Sequence, residues 1–478
     1  MSVNTGNIDI VRDLGEKPVP LCPHGPTLLF KRYDVATGRE RQFFACSAFR
    51  DRKSCAFFQW DDKEPDEQND VRQKCLYLPA LWPSVNHAVM RKRYFKVKRL
   101  DKAKRFLCVN CGLLLLQNEV EKHKILGHVL RNPIPNKLLK TPTLLFSPLE
   151  DNKTFAQYLF DDRTVNFVIE TLSRMKITHV LCIGCPRIHE AVQRSVTDCA
   201  QGLTSLLLDL DHRYLQIYSP SKFCRYNMMN HHFFEAKRDR VTYEEFISRT
   251  GNKKVAMVID PPFGIMVEAL NATLCKIQHE WKGHTDEGSD SGSAMPVFWF
   301  FPYFMEHRVL ETCKTFTMLD YKVDYDNHAL FRGDKGRKKG SPVRIFTNVD
   351  PGDVPLPETD GYWYCSSCKR YSSSVNKHCE LCAACTTKDG PTYKHCEKCE
   401  RCVKPSRVHC ETCNICDIPS HCCSDVRKKG CHICGSLDHK RRDCPVKTED
   451  RRPTLKRGHS QSFQTSHAKV QGKKKKRR

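Results

Sequence analysis

The chain has 478 residues, too many for one compact core, and its composition carries a net charge of +24 with 28 cysteines. A surface this basic repels itself and attracts polyanions, so nucleic acid or an anionic membrane is the expected partner class. No apolar run is long enough to span a bilayer, and the N-terminus lacks the basic-then-apolar layout of a secretory leader, so the sequence reads as intracellular.

In a reducing compartment, clustered cysteines spaced with histidines read as metal ligands rather than disulfides. The first such group is Cys22, His24, Cys46 and Cys55, set among LCPHGPTLLFKRY, GRERQFFACS and CAFFQW. Arg32, Arg41, Phe43, Phe44, Phe58 and Trp60 interleave there as base-stacking and phosphate-binding groups would, and about half of the aromatics are expected to fill the small core instead. The stretch resembles the GRF zinc-finger family, small modules that bind single-stranded nucleic acid, and is assigned to residues 20–62. An acidic loop (61–70) follows, and then Cys108, Cys111, His123 and His128, the pattern of a C2H2 finger over 100–131. Residues 131–142, rich in proline, are expected to be a linker.

From 143 to 350 the pattern predicts an α/β domain. Buried strands are expected at 179–184, 205–210, 222–227, 254–260 and 297–301, helices at 154–174 and 264–281, and a late antiparallel hairpin at 321–331 turning near Asp326 and Asn327. Strand–helix alternation of this kind gives a mainly parallel sheet with helices on its faces. Within it, KVAMVIDPPFG places Asp260-Pro261-Pro262-Phe263 at the end of a buried strand, where open sheets of this class bind ligands. An exocyclic amine on adenine is a poor nucleophile because its lone pair is delocalised into the ring. The Asp260 carboxylate and the Pro261 carbonyl can each accept one of its N–H bonds, Pro262 stiffens the loop, and Phe263 can stack on the base.

Upstream, Gly184 occupies the tight turn after the first strand, where methyltransferases bring the backbone close to S-adenosylmethionine; Cys185 and Pro186 stand where a second glycine is usual. An acid at the end of the second strand would bind the cofactor ribose, with Asp209 the candidate and Asp211 the alternative. Asn227 ends the third strand and is the candidate for the cofactor adenine. The basic loop 333–342 is expected to grip phosphate or gate the site. Cys75, Cys182, Cys199, Cys224, Cys275 and Cys313 are expected to be buried structural thiols.

Between 362 and 424 metal must replace the hydrophobic core. Each Cys-x2-Cys pair can share a zinc with the later His and the Cys seven positions beyond it. This predicts Cys365, Cys368, His378 and Cys385; Cys379, Cys382, His395 and Cys402; Cys396, Cys399, His409 and Cys416. A fourth set combines Cys410, Cys413, His421 and one of Cys422 or Cys423, with Cys422 taken as the ligand. Cys431, Cys434, His439 and Cys444 then form a CCHC knuckle within 429–446, and a basic tail, 447–478, is expected to be disordered and to serve nuclear import or non-specific RNA binding.

The order of modules resembles the family of CCHC zinc-finger ribosomal RNA adenosine N6-methyltransferases over nearly the whole chain. The resemblance implies a Rossmann-like core flanked by zinc modules that help to hold RNA, S-adenosylmethionine and several structural zinc ions as cofactors, and transfer of a methyl group to an adenosine of large-subunit ribosomal RNA. It also implies nuclear and nucleolar residence, with the cytoplasm left open, and proteins of ribosome assembly or RNA processing as partners. The Cys/His-rich stretch is similar to part of the DHHC palmitoyltransferases, but their catalytic Asp-His-His-Cys run is absent. Two other readings remain at this point: a non-catalytic RNA-binding adaptor on a degenerate core, and methylation of another amine, in another nucleic acid or in protein.

Overall fold

The computed structural model describes, apart from isolated positions, residues 8–34, 39–62, 82–149, 157–195, 202–283, 294–327, 341–388 and 391–423. The expected CCHC knuckle, the basic tail, nearly all of the 61–70 and 333–342 loops, Cys75 and Cys199 lie outside these.

The core is one eight-stranded sheet. Its strands are β1 (His179–Ile183), β2 (Thr204–Asp209), β3 (Phe223–Asn227), β4 (His232–Phe233), β5 (Val255–Ile259), β6 (Val297–Pro302), β7 (Thr317–Leu319) and β8 (Val343–Thr347), in the spatial order β4-β3-β2-β1-β5-β6-β8-β7. β3, β2, β1, β5 and β6 run parallel, and β4, β8 and β7 are antiparallel additions at the two edges. Strand order reverses between β1 and β5, so the loops leaving those two strands diverge and open a crevice at their carboxyl ends.

The helices expected at 154–174 and 264–281 are α1 (Asp162–Arg174) and α4 (Val267–Gly283), and α2 (Pro186–Ser195) and α3 (Ala236–Ile247) join them. α1 starts later than its apolar periodicity suggests because Asp161 caps it, its carboxylate accepting the Thr164 N–H at 2.9 Å. Residues 154–156 of the expected helix lie outside the described residues, and Phe160, just before the cap, forms a β-bridge with Tyr325. The late hairpin reaches outside the described residues: a turn stands at Asp326 and Asn327, and 328–331 lie beyond it. Among the described residues the antiparallel pair here is β7 with β8, a strand the sequence pattern does not indicate. The 131–142 segment is no loose linker either. It carries the short helix Asn136–Lys140 and buries Ile134 and Leu139 in the main core.

Strand alternation decides where the zinc modules sit. Val180, Cys182 and Val258 face one side, sharing a core with Leu107, Leu113 and Leu114 of the C2H2 module and Met90 of the helix His87–Lys98. Leu181, Ile183, Met257 and Ile259 face the other, packed with Phe30 and Phe43 of the GRF-like module. Each finger thus completes one face of the central sheet. The Cys/His-rich stretch docks at the far edge, where the Asp320 carboxylate accepts the Ser373 N–H at 2.7 Å and the Asn376 amide at 2.9 Å. No helix among the described residues is long and apolar enough to cross a membrane. Cys182, Cys224 and Cys313 are buried as expected, whereas Cys275, on the solvent face of α4, is exposed.

Candidate active site and zinc centres

Gly184 turns the chain out of β1 with φ +65°. A Cβ there would lie 2.8 Å from the Asp260 carbonyl oxygen and 2.9 Å from Met228 Cε, so a side chain would push the two sides of the crevice apart. The Asp260 N–H donates to the Ile183 carbonyl at 3.1 Å, stitching the turn to the DPPF loop. The place of the missing second glycine is also explained. Pro186 opens α2, where a fixed φ and an absent N–H are harmless. The Cys185 side chain points inward, its Sγ 3.3 Å from the carbonyls of Ile183 and Val258. Only position 184 needs glycine.

The Asp260 carboxylate accepts the Tyr325 hydroxyl at 3.0 Å. Burial pushes this carboxyl well above the usual carboxylate range; the Tyr325 hydrogen bond works against that shift, and the nearby Asp209 charge adds to it. Around it stands an aromatic wall. Tyr158 stacks on Phe263 with centroids 5.5 Å apart and lies 5.7 Å from Tyr325, which in turn stacks on Phe160 at 5.2 Å. Pro262 gives its carbonyl to the Ile265 N–H at 3.2 Å, closing the turn that presents Phe263. Tyr158 and Tyr325 carry no recognisable motif and were not anticipated. The first precedes α1 and the second lies 65 residues beyond Asp260, so only the Phe160–Tyr325 bridge brings them to the site.

At the end of β2 the two candidate acids separate. Both Asp211 oxygens are taken by the Arg213 guanidinium, with Nε at 2.9 and 3.0 Å and a terminal nitrogen at 2.7 Å. That pairing holds its carboxyl below the usual value despite burial. Asp209 accepts the Asp211 N–H at 2.9 Å, and its carboxyl is pushed up to about 7, by burial first and then by the Asp211 charge. A half-buried acid at the edge of the crevice, with no guanidinium on its oxygens, suits a ligand hydroxyl.

Asn227 does not serve the crevice as expected. Its amide donates to the His24 carbonyl and to Ser47 Oγ, each at 2.9 Å, and its oxygen accepts the Met229 N–H at 3.0 Å. All of its principal hydrogen-bonding capacity locks the GRF-like module onto the core. Asn230 repeats the arrangement, reaching the Pro26 carbonyl at 2.6 Å and Ser47 at 2.9 Å. The stacking residues of that module divide as expected. Phe43 and Phe44 are buried, while Arg41 covers the half-buried Trp60 at 3.7 Å.

The zinc sets converge as the spacing predicts. Five groups of four place every ligand atom within 4.8 Å of the others: Cys22, His24, Cys46 and Cys55; Cys108, Cys111, His123 and His128; and the three interleaved sets beginning at Cys365, Cys379 and Cys396. A tetrahedron with Zn–S arms of about 2.3 Å has an edge near ~3.8 Å. The Cys368–His378, Cys382–Cys402 and Cys399–Cys416 ligand separations of 3.2, 3.7 and 3.5 Å match such edges. In the last set the ligand is Cys423, 3.6 Å from Cys410 and 3.5 Å from His421, with Cys413 3.2 Å from the same imidazole nitrogen. Cys422 beside it is exposed. Every set has four protein ligands and no open position, the donor chemistry of structural zinc.

A Rossmann-like sheet with an Asp-Pro-Pro-Phe loop at its switch point defines the class, an S-adenosylmethionine-dependent amine methyltransferase. Comparison with known proteins narrows it. Residues 151–333 match the family described as "Probable N6-adenine methyltransferase", and residues 20–64 match the GRF zinc finger. The rRNA N(6)-adenosine-methyltransferase ZCCHC4 of Homo sapiens is 45% identical over 432 residues, covering 90% of this chain and 83% of that protein. The proteins of the same name from Mus musculus and Xenopus tropicalis are 47% and 46% identical, the alignments covering 90% and 89% of this chain and 83% and 86% of theirs. The chain belongs to this family of N6-adenine methyltransferases.

Proposed function

We propose that this chain transfers a methyl group from S-adenosylmethionine to N6 of an adenosine in ribosomal RNA, that of the large subunit, and that it acts in the nucleus and nucleolus beside proteins of ribosome assembly. The observation that carries the chemistry is the Asp260 carboxylate, hydrogen-bonded by Tyr325 beneath the Phe263–Tyr158 wall and in backbone contact with the Gly184 turn. The names of the relatives support the RNA substrate.

When bound, S-adenosylmethionine supplies an electrophilic methyl group on a sulfonium. Gly184, with no side chain beside the Asp260 carbonyl, would leave room for its methionine part, and Asp209 would accept its ribose hydroxyls. The target adenine stacks against Phe263, so its plane and amine are fixed before reaction. Asp260 and the Pro261 carbonyl each accept an amine N–H, which localises the nitrogen lone pair toward the cofactor. Tyr325 holds one Asp260 oxygen, leaving the other for the amine. Forming the N–CH3 bond would break the sulfonium C–S bond and leave a neutral thioether; the methylated nitrogen is then strongly acidic, so the Asp260 carboxylate or solvent would take its proton and no strong base is required.

Labelled methyl transfer to ribosomal RNA, comparing the intact protein with Asp260→Ala and ending in nucleoside analysis, tests the proposal. N6-methyladenosine that depends on Asp260 supports it. An intact protein that binds RNA but methylates no nucleic acid refutes it in favour of an adaptor.

A further inference from the structure

We propose that the C2H2 finger is a working part of the cofactor site. Its zinc-held hairpin, Phe106–Cys108 with Leu113–Leu115, is the mould in which the loop after Asp209 sets, and Arg213 and Gln216 are the positioning residues that transmit its shape. The inference rests on the reading of Asp209 as the cofactor-ribose acid.

The chain of contacts is short and buried. The Asp209 carboxylate accepts the Asp211 N–H at 2.9 Å, so its orientation follows Asp211. Asp211 is clamped by Arg213 through the backbone N–H at 3.0 Å as well as the guanidinium. Arg213 lies against the finger itself. A Cβ on Gly112, the residue after zinc ligand Cys111, would sit 2.4 Å from Arg213 Cδ, so the arginine stem occupies the place that a side chain there would need. Gln216 closes the loop from its other end. Its oxygen accepts the Leu114 N–H at 2.9 Å, and its amide donates to the Gly112 carbonyl at 2.8 Å and to the Arg213 carbonyl at 3.2 Å. Trp82 adds a third tie, donating to the Cys111 carbonyl at 2.6 Å while its ring meets His212 edge-on at 4.3 Å.

These partners sit on the turn that Cys108 and Cys111 pin to the metal and on the strand that leaves it. Zinc therefore fixes the Gly112 carbonyl and the Leu114 N–H, these fix Gln216, the Gly112 backbone seats the Arg213 stem, and Arg213 fixes the Asp211 that orients Asp209. The same guanidinium reaches Gln157 at 3.2 Å, next to the acceptor-wall residue Tyr158, so one side chain joins the finger, the Asp211 that orients the cofactor acid, and the acceptor wall. A finger that only covered apolar surface, or only gripped RNA, would not need these polar ties.

The test uses the full-length zinc-loaded protein with Arg213→Lys and Gln216→Ala. S-adenosylhomocysteine binding is read by calorimetry, zinc content by plasma mass spectrometry, and affinity for a single-stranded RNA oligonucleotide by anisotropy. Lysine cannot reproduce the fork on Asp211, so the dissociation constant for S-adenosylhomocysteine should rise about tenfold with zinc content unchanged and RNA affinity within about twofold. Unchanged S-adenosylhomocysteine binding in both variants overturns the inference, as does an equal loss of RNA binding. Should the variants fail to fold, hydrogen exchange on the wild-type protein decides. By linkage, S-adenosylhomocysteine must protect amides of 106–116 as well as 209–218, and protection confined to the second segment overturns the inference. A wild-type protein that binds no S-adenosylhomocysteine at all refutes the cofactor reading itself, a result distinct from binding that the variants leave intact.

Discussion

Replacing Tyr325 by Phe removes one hydroxyl and keeps the ring that stacks on Phe160 at 5.2 Å and lies beside Tyr158 at 5.7 Å. The lost interaction is a 3.0 Å hydrogen bond to a half-buried carboxylate. Hydrogen bonds to charged groups contribute about 1.5–3 kcal/mol, which corresponds to a fall in kcat of roughly tenfold to 150-fold if the carboxylate must be held ionised in the transition state. The pH dependence gives the sharper readout. Burial already raises the Asp260 carboxyl, and the Tyr325 hydroxyl pulls it back down. Without that hydroxyl the carboxyl rises further. Since the ionised form is the amine acceptor, activity is lost as pH falls through this value, so the acid limb of the profile moves to higher pH. Single-turnover methyl transfer to RNA between roughly pH 6 and 9 measures both quantities. A defect that is the same at every pH, or one confined to KM, would show that Tyr325 is only part of the aromatic wall.

Asp260→Asn is expected to be inactive and yet more stable. The raised carboxyl means that the ionised group opposes folding increasingly as pH rises, so the variant should melt at a higher temperature than the wild type, with a gap in thermal midpoint that widens in alkali; a lower midpoint would contradict this. Asp211→Ala strands the buried Arg213 and should cost about 3–5 kcal/mol in denaturant melts, whereas Asp209→Asn should fold normally and lose about tenfold in S-adenosylhomocysteine affinity. Wild-type affinity for S-adenosylhomocysteine should itself fall as pH drops through about 7, where Asp209 takes up its proton, and a flat titration would exclude Asp209 as the ribose acid. In native mass spectrometry Cys423→Ser should lose one zinc ion and Cys422→Ser none, the reverse pattern placing the ligand at Cys422.

What the sequence determined by itself is local. The zinc sets were legible because a Cys-x2-Cys turn presents two ligands whatever surrounds it, and a tetrahedral metal supplies the missing specificity. The DPPF loop was legible for a similar reason, a uniformly buried strand ending in residues that strands avoid. Only the tertiary structure decided which polar side chains face the crevice. Asn227 reads as a cofactor ligand until the GRF-like module is seen to cover it, and Asp209 is told from Asp211 only by where Arg213 turns. Tyr325 and Gln216 meet their partners across 65 and 102 positions. Spacing along a chain encodes a turn or a strand face, but a contact over such distances depends on which module closes each face of the sheet, and that is settled by packing.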